Sequence, residues 1–92
     1  MNPNHTFTEK YFYEELGRFR QAMGNREWWM NPDNREACVK GITFVYLNLV
    51  NEDGSLPSNE QITKWGSIFN ATMSEYAQRE SIMLLRGLAK VS

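Results

Sequence analysis

The sequence predicts an all-α fold, a small bundle of three to four helices at about 7–23, 32–51, 59–78 and 80–90. Two observations carry this. Apolar side chains recur at helical spacing through every long segment, and helix start signals stand at the head of those segments. There are no internal repeats, low-complexity tracts or linker-like stretches, so residues 1–92 are expected to form one helical domain.

The first helix is expected to open at Thr6-Phe7-Thr8-Glu9. These residues fit a capping box in which the Thr6 hydroxyl and the Glu9 side chain satisfy each other's backbone amides. Phe12, Leu16, Phe19 and Met23 then fall on one narrow face at about 100° per residue, and Gly24 is placed to end the helix. The connector that follows holds Trp28 and Trp29, which as neighbours cannot point the same way. Asn31-Pro32-Asp33 supplies a cap, a proline at the first helical position and an acid in the first turn, so a second helix begins there.

Residues 42–47, ITFVYL, have strand-like composition. Periodicity decides for a helix, because Cys38, Ile42, Val45, Tyr46 and Leu49 share about a third of the wheel, opposite Glu36, Lys40, Asn48 and Asn51. Phe44 and Leu47 do not fit that division and lie on the polar side. Ser58-x-x-Gln61 is another capping box, and it heads a stripe of Ile62, Trp65, Phe69, Met73 and Tyr76. Continued further, the stripe would carry Glu80 at its centre. That predicts a break between Gln78 and Ser81, with a fourth helix over 80–90, rather than one rod of about 30 residues spanning about 45 Å.

Composition limits what the chain can do. Ninety-two residues, 41% of them hydrophobic, suffice for one core. The net charge of −1 neither steers the chain to nucleic acid nor mimics it. Cys38 is the single cysteine, so no internal disulfide is available and a reduced, cytoplasmic setting is expected. The first ten residues lack the basic and apolar runs of a secretory leader. The longest uncharged stretch, 41–51, is far short of the ~20 residues that cross a bilayer, so no membrane partner is expected.

One loop carries a resemblance. With Leu49 as position 1, LVNEDGSLPSNE places Asn51 at 3, Asp53 at 5, Gly54 at 6, Leu56 at 8 and Glu60 at 12, and over these twelve residues it resembles an EF-hand flanked by helices. The resemblance implies calcium held by those oxygens. It departs at Leu49 and Pro57, which offer no side-chain oxygen, and only Asp53 and Glu60 contribute carboxylates. A plain interhelical turn with a positive φ at Gly54 and a cap at Ser58 accounts for the same residues, so no metal and no other cofactor is expected.

Catalytic chemistry is not expected either. His5 is the only histidine, Cys38 shares a face with apolar residues, and the glycines at 17, 41, 66 and 87 are isolated within helical patterns rather than clustered in a phosphate-binding loop. What remains is surface. Trp28, Trp29, Phe44 and Leu47 lie off the core stripes and are candidate partner-binding residues, since aromatic anchors carry much of the energy of an interface. The expectation is a small interaction module that regulates or inhibits a larger protein, or self-associates. Its size and class are those of the stand-alone helical modulators in which bacterial and phage genomes abound. The alternative is a nucleic-acid-binding bundle that uses Arg79, Arg86 and Lys90, which return to one side of the last helix. A degenerate calcium binder is third.

Overall fold

The computed structural model describes residues 7–91, with side chains described through Ile82. Among the described residues four helices occur in the order α1 (Glu9–Gly24), α2 (Arg26–Trp29), α3 (Pro32–Leu47) and α4 (Asn59–Val91). α1 and α3 form an antiparallel hairpin turned by the single turn of α2. α4 lies on one face of that hairpin and runs in the direction of α1. Its Trp65, Thr72 and Arg79 meet Glu9, Arg20 and the Met23 carbonyl in that order.

The core follows from the α1 stripe. Phe12, Leu16, Phe19 and Met23 are all buried, and they meet Trp29, Ile42, Val45, Leu49 and Trp65 in one cluster. Full burial of each large apolar side chain stabilises the fold by about 1.5–3 kcal/mol. Thr72 is the one polar side chain buried among the described residues. Its hydroxyl donates to the Ile68 carbonyl and accepts from Arg20, so it is satisfied. Tyr46 of α3 stacks on Phe69 of α4, and Trp29 meets Phe19 and Tyr76 edge-on. The Trp29 Nε1–H is buried without a hydrogen-bond acceptor.

Three boundaries differ from the sequence expectation, each for a tertiary reason. α1 starts at Glu9 with Thr8 as its cap, not near Phe7. Phe7 is extended and forms a parallel bridge with Leu49, its carbonyl accepting from the Val50 amide at 2.9 Å. The Glu9 carboxylate crosses to Trp65 of α4. Thr6 lies outside the described residues.

α3 stops at Leu47 rather than near 51. The Asn48 side chain donates to the Phe44 carbonyl and the Asn48 amide tightens to Val45, which frees Leu49 and Val50 to pair with Phe7. α4 has no break at 78–81 and is a single helix of 33 residues. Glu80 sits on its inner stripe without interrupting it, because the carboxylate pairs with Arg35 of α3 at 3.2 Å and accepts from Tyr76.

The start signals that depend on adjacent residues form as the sequence implies. Asn31 caps α3 by accepting from the Asp33 amide, and Pro32 occupies the first turn. Ser58 and Gln61 make the reciprocal capping box of α4 at 2.8 and 3.2 Å. The α2 corner is held from both ends. Asn25 accepts from the Trp28 amide, while Asn34 and Arg35 donate to the carbonyls of Trp28, Trp29 and Met30.

At 1.5 Å per residue α4 is about 50 Å long, whereas α1 and α3, at 16 residues each, are about 24 Å. Among the described residues, the last side chains that join α4 to the hairpin are Arg79 and Glu80. Arg79 already stands at the Met23 carbonyl near the end of α1, so the twelve helical residues from Glu80 to Val91, about 18 Å, run on past that end.

Candidate functional site

α4 covers one face of the α1/α3 hairpin. Arg20 of α1 and Arg35 and Tyr46 of α3 point to it. Residues about half a turn away on each helix form the opposite face. On α1 these are Glu15, Arg18 and Ala22; on α3 they are Ala37, Gly41 and Phe44. Between the two helices this back face sinks into a groove of about 370 Å³, floored by Ala22, Ala37, Cys38, Gly41 and Ile42 and closed at the corner by Trp28. The groove exists because small residues face one another there, so the helix surfaces have no bulk to fill the space between them.

At the other end of the back face stands an aromatic group. Phe7 stacks on Tyr11 at 5.0 Å and meets Phe44 edge-on at 5.7 Å. Phe44 remains 52% exposed in this arrangement and Tyr11 37%. Of the residues singled out from sequence, Trp28 and Phe44 thus mark the two ends of one face. Leu47, 71% exposed, lies one turn beyond Phe44 and towards the outer edge of α3. Trp29 does not join them. It is a core residue, only 2% exposed, because the α2 turn sends one tryptophan inwards and leaves the other outside.

Sequence reasoning missed the groove floor. The small residues Ala37 and Gly41, four apart on one helix, were a readable signal. The Phe7–Phe44 contact joins distant segments and was not.

A second concave region, a cleft of about 670 Å³, lies where the 48–58 loop meets the starts of α1 and α4, with Glu9, Tyr13, Asn51, Asp53 and Trp65 on its walls. Glu9 Oε2 accepts from Trp65 Nε1 at 2.8 Å and from Tyr13 at 3.1 Å, and pairs with Lys64 Nζ at 3.1 Å. The indole hydrogen bond and then the lysine hold the Glu9 carboxyl below its ordinary range.

The loop itself is tied up internally. Asn51 Oδ1 accepts from Gln61, and the Asn51 amide donates to Ser55 and the Leu56 carbonyl. Asp53 Oδ1 accepts from both the hydroxyl and the amide of Ser55, which lowers its pKa. Gly54 has φ +85°, the left-handed conformation glycine adopts at no steric cost. The oxygens at positions 3 and 5 of the EF-hand-like pattern are therefore engaged in shaping the turn. Among the described residues no group of three or more His, Cys, Asp or Glu is placed to hold a metal.

Cys38 is partly buried rather than sealed in the core, and burial pushes its thiol pKa up, away from thiolate reactivity. Arg79 donates inwards to the Met23 carbonyl, which sets it apart from a stripe aimed at phosphates; the side chains of Arg86 and Lys90 lie outside the described residues. Among the described residues no helix is long and apolar enough to cross a membrane. Compared with protein-family models, with curated proteins and with solved structures, the chain matches none.

Proposed function

We propose that this chain is a helical protein-interaction module that regulates a larger protein by docking it on the back face of the α1/α3 hairpin. One observation carries the reading. The face combines a groove with exposed aromatic side chains at both ends, Trp28 and Phe44, and no described residue of the chain itself covers it. Large exposed aromatics beside an apolar depression are the usual composition of an interface core, where a few buried anchors supply most of the affinity. An amphipathic helix of the partner, with aliphatic residues at i, i+3 and i+4, would fit between the two helices and use the same ridges-into-grooves packing as the bundle. A cytoplasmic setting fits the single free Cys38.

The test is the double variant Phe44→Ser with Leu47→Ser. These side chains are more than half exposed, so unfolding should weaken by no more than about 1–2 kcal/mol and circular dichroism should be unchanged. The expected result is that a partner captured from host lysate by the native chain is lost by this variant and by Trp28→Ser, but retained by Leu56→Ser, which changes an exposed residue of the loop. Equal capture by all four proteins refutes the assignment of the surface.

A further inference from the structure

We propose that in the free protein the α1/α3 groove is filled by the overhanging end of α4 from a second copy of this chain, reciprocally, in a closed two-fold dimer. The inference rests on reading the back face as a docking surface and names its first occupant.

Four observations point to that occupant. The first is length. The segment of α4 beyond Glu80 runs from Ser81 to Val91, about 16 Å of helix, and the back face from the Trp28 corner along the groove at Ala37 and Gly41 to Phe44 needs about 10–15 Å. The second is composition. This segment carries six large aliphatic residues between Ile82 and Val91, and Ile82, at its start, is 50% exposed.

The third is charge. Residues 81–92 hold Arg86 and Lys90 and no acid, a net of +2, whereas residues 1–80 hold eight cations and eleven acids, a net of −3. The end of α4 is thus attracted to the body of another copy rather than to another such end.

The fourth is geometry. α4 lies on the front of the hairpin and the groove on its back, one helix layer away on either side. A two-fold axis perpendicular to the helices, with the hairpins meeting end to end at their α2 corners, therefore brings each overhang onto the other copy's back face. The overhang enters at Trp28 and finishes at Phe44, parallel to α3 of the other copy. The contact is isologous and closes at two copies. It also covers Trp28 and Met30, 41% and 61% exposed at the corner where the overhang leaves. One short helix in one groove is a small contact; two of them plus the corner approach the roughly 1,200–2,000 Å² of a stable interface.

The test uses the full chain by size-exclusion chromatography with light scattering across a concentration series, together with the rate of Cys38 alkylation by N-ethylmaleimide. The native chain should show twice its 10.8 kDa mass. Two full-length variants should return it to 10.8 kDa with a native circular dichroism spectrum. One is Gly41→Lys, which fills the groove from a position where an added Cβ meets nothing within 4 Å. The other is Leu85→Asp with Leu88→Asp in the overhang. In that overhang variant Cys38, which lines the groove, should alkylate at least several-fold faster than in the native chain. A native chain that is monomeric throughout the series overturns the inference, as does a dimer that persists with its Cys38 rate unchanged in both variants. A monomer that still loses its foreign partner on Phe44→Ser with Leu47→Ser leaves the docking surface standing and removes only the second copy as its occupant.

Discussion

Gly66 and Tyr46 give a stringent test of how α4 seats on the hairpin. A Cβ at Gly66 would stand 2.9 Å from Tyr46 Oη and 3.9 Å from its Cζ. The Tyr46 ring has little freedom to yield, since it stacks on Phe69 at 4.4 Å with planes 6° apart. Replacing a helical glycine by alanine stabilises by about 0.8–1 kcal/mol. Forcing the methyl against the hydroxyl costs about 1–3 kcal/mol. Gly66→Ala should therefore be neutral to destabilising, by about 0–2 kcal/mol. Tyr46→Phe removes the oxygen and leaves ordinary contact at the ring carbon, so adding Gly66→Ala in that background should stabilise by about 1 kcal/mol. The coupling across the cycle is then about 1–3 kcal/mol. Urea unfolding of the four proteins followed by tryptophan fluorescence measures it. If Gly66→Ala stabilises by about 1 kcal/mol equally in both backgrounds, the α3/α4 seam is not packed as described.

Other substitutions probe the polar end of the molecule. Glu9→Gln should cost about 1 kcal/mol at neutral pH, the modest figure reflecting a carboxylate that is 42% exposed. Because the folded state lowers the Glu9 pKa, that stability is present above the ordinary value of 4.5 and disappears as pH falls through the folded one. Denaturation of variant and parent should therefore converge in acid; a gap independent of pH would count against the charge as its source. Gly54→Ala should lower stability by about 1 kcal/mol through its φ of +85°, with no change in oligomeric state. Millimolar calcium should leave the melting temperature where it is, since a site filled to 100 times its Kd would add about 2.7 kcal/mol and a clear upward shift.

What the sequence revealed depended on how far apart the interacting residues lie. The α1 stripe, the Asn31-Pro32-Asp33 start, the Ser58–Gln61 box and the turn at Gly54 all involve residues within a few turns of each other, and periodicity and capping chemistry describe them fully. The break expected near Glu80 failed because the partner that makes its burial tolerable is Arg35, forty-five positions earlier. The start of α1 moved because Phe7 pairs with Leu49 and Glu9 with Trp65, neither visible to a local rule. Trp28 and Trp29 show the same limit: the sequence required them to diverge but could not say which went inside. Phe44 and Leu47 were legible as surface residues by their misfit, whereas the groove needed the positions of α1 and α3 relative to each other.

The placement of α4 bears on how the chain is made. Its ties to α1 span more than fifty positions, Glu9 to Trp65, Arg20 to Thr72 and Met23 to Arg79. When α3 has emerged from the ribosome, nothing yet covers the front of the hairpin, and Trp65 and Tyr76 are still inside the exit tunnel. They stay there until further elongation or release of the chain lets α4 follow α3 out. For that interval the nascent hairpin exposes two apolar faces, and on polysomes it is at its most vulnerable to capture by a chaperone or by a neighbouring nascent chain. Holding the chain on the ribosome after codon 80, with the hairpin outside and α4 still in the tunnel, should lower the soluble yield more than holding it after codon 47, when α3 itself is still inside.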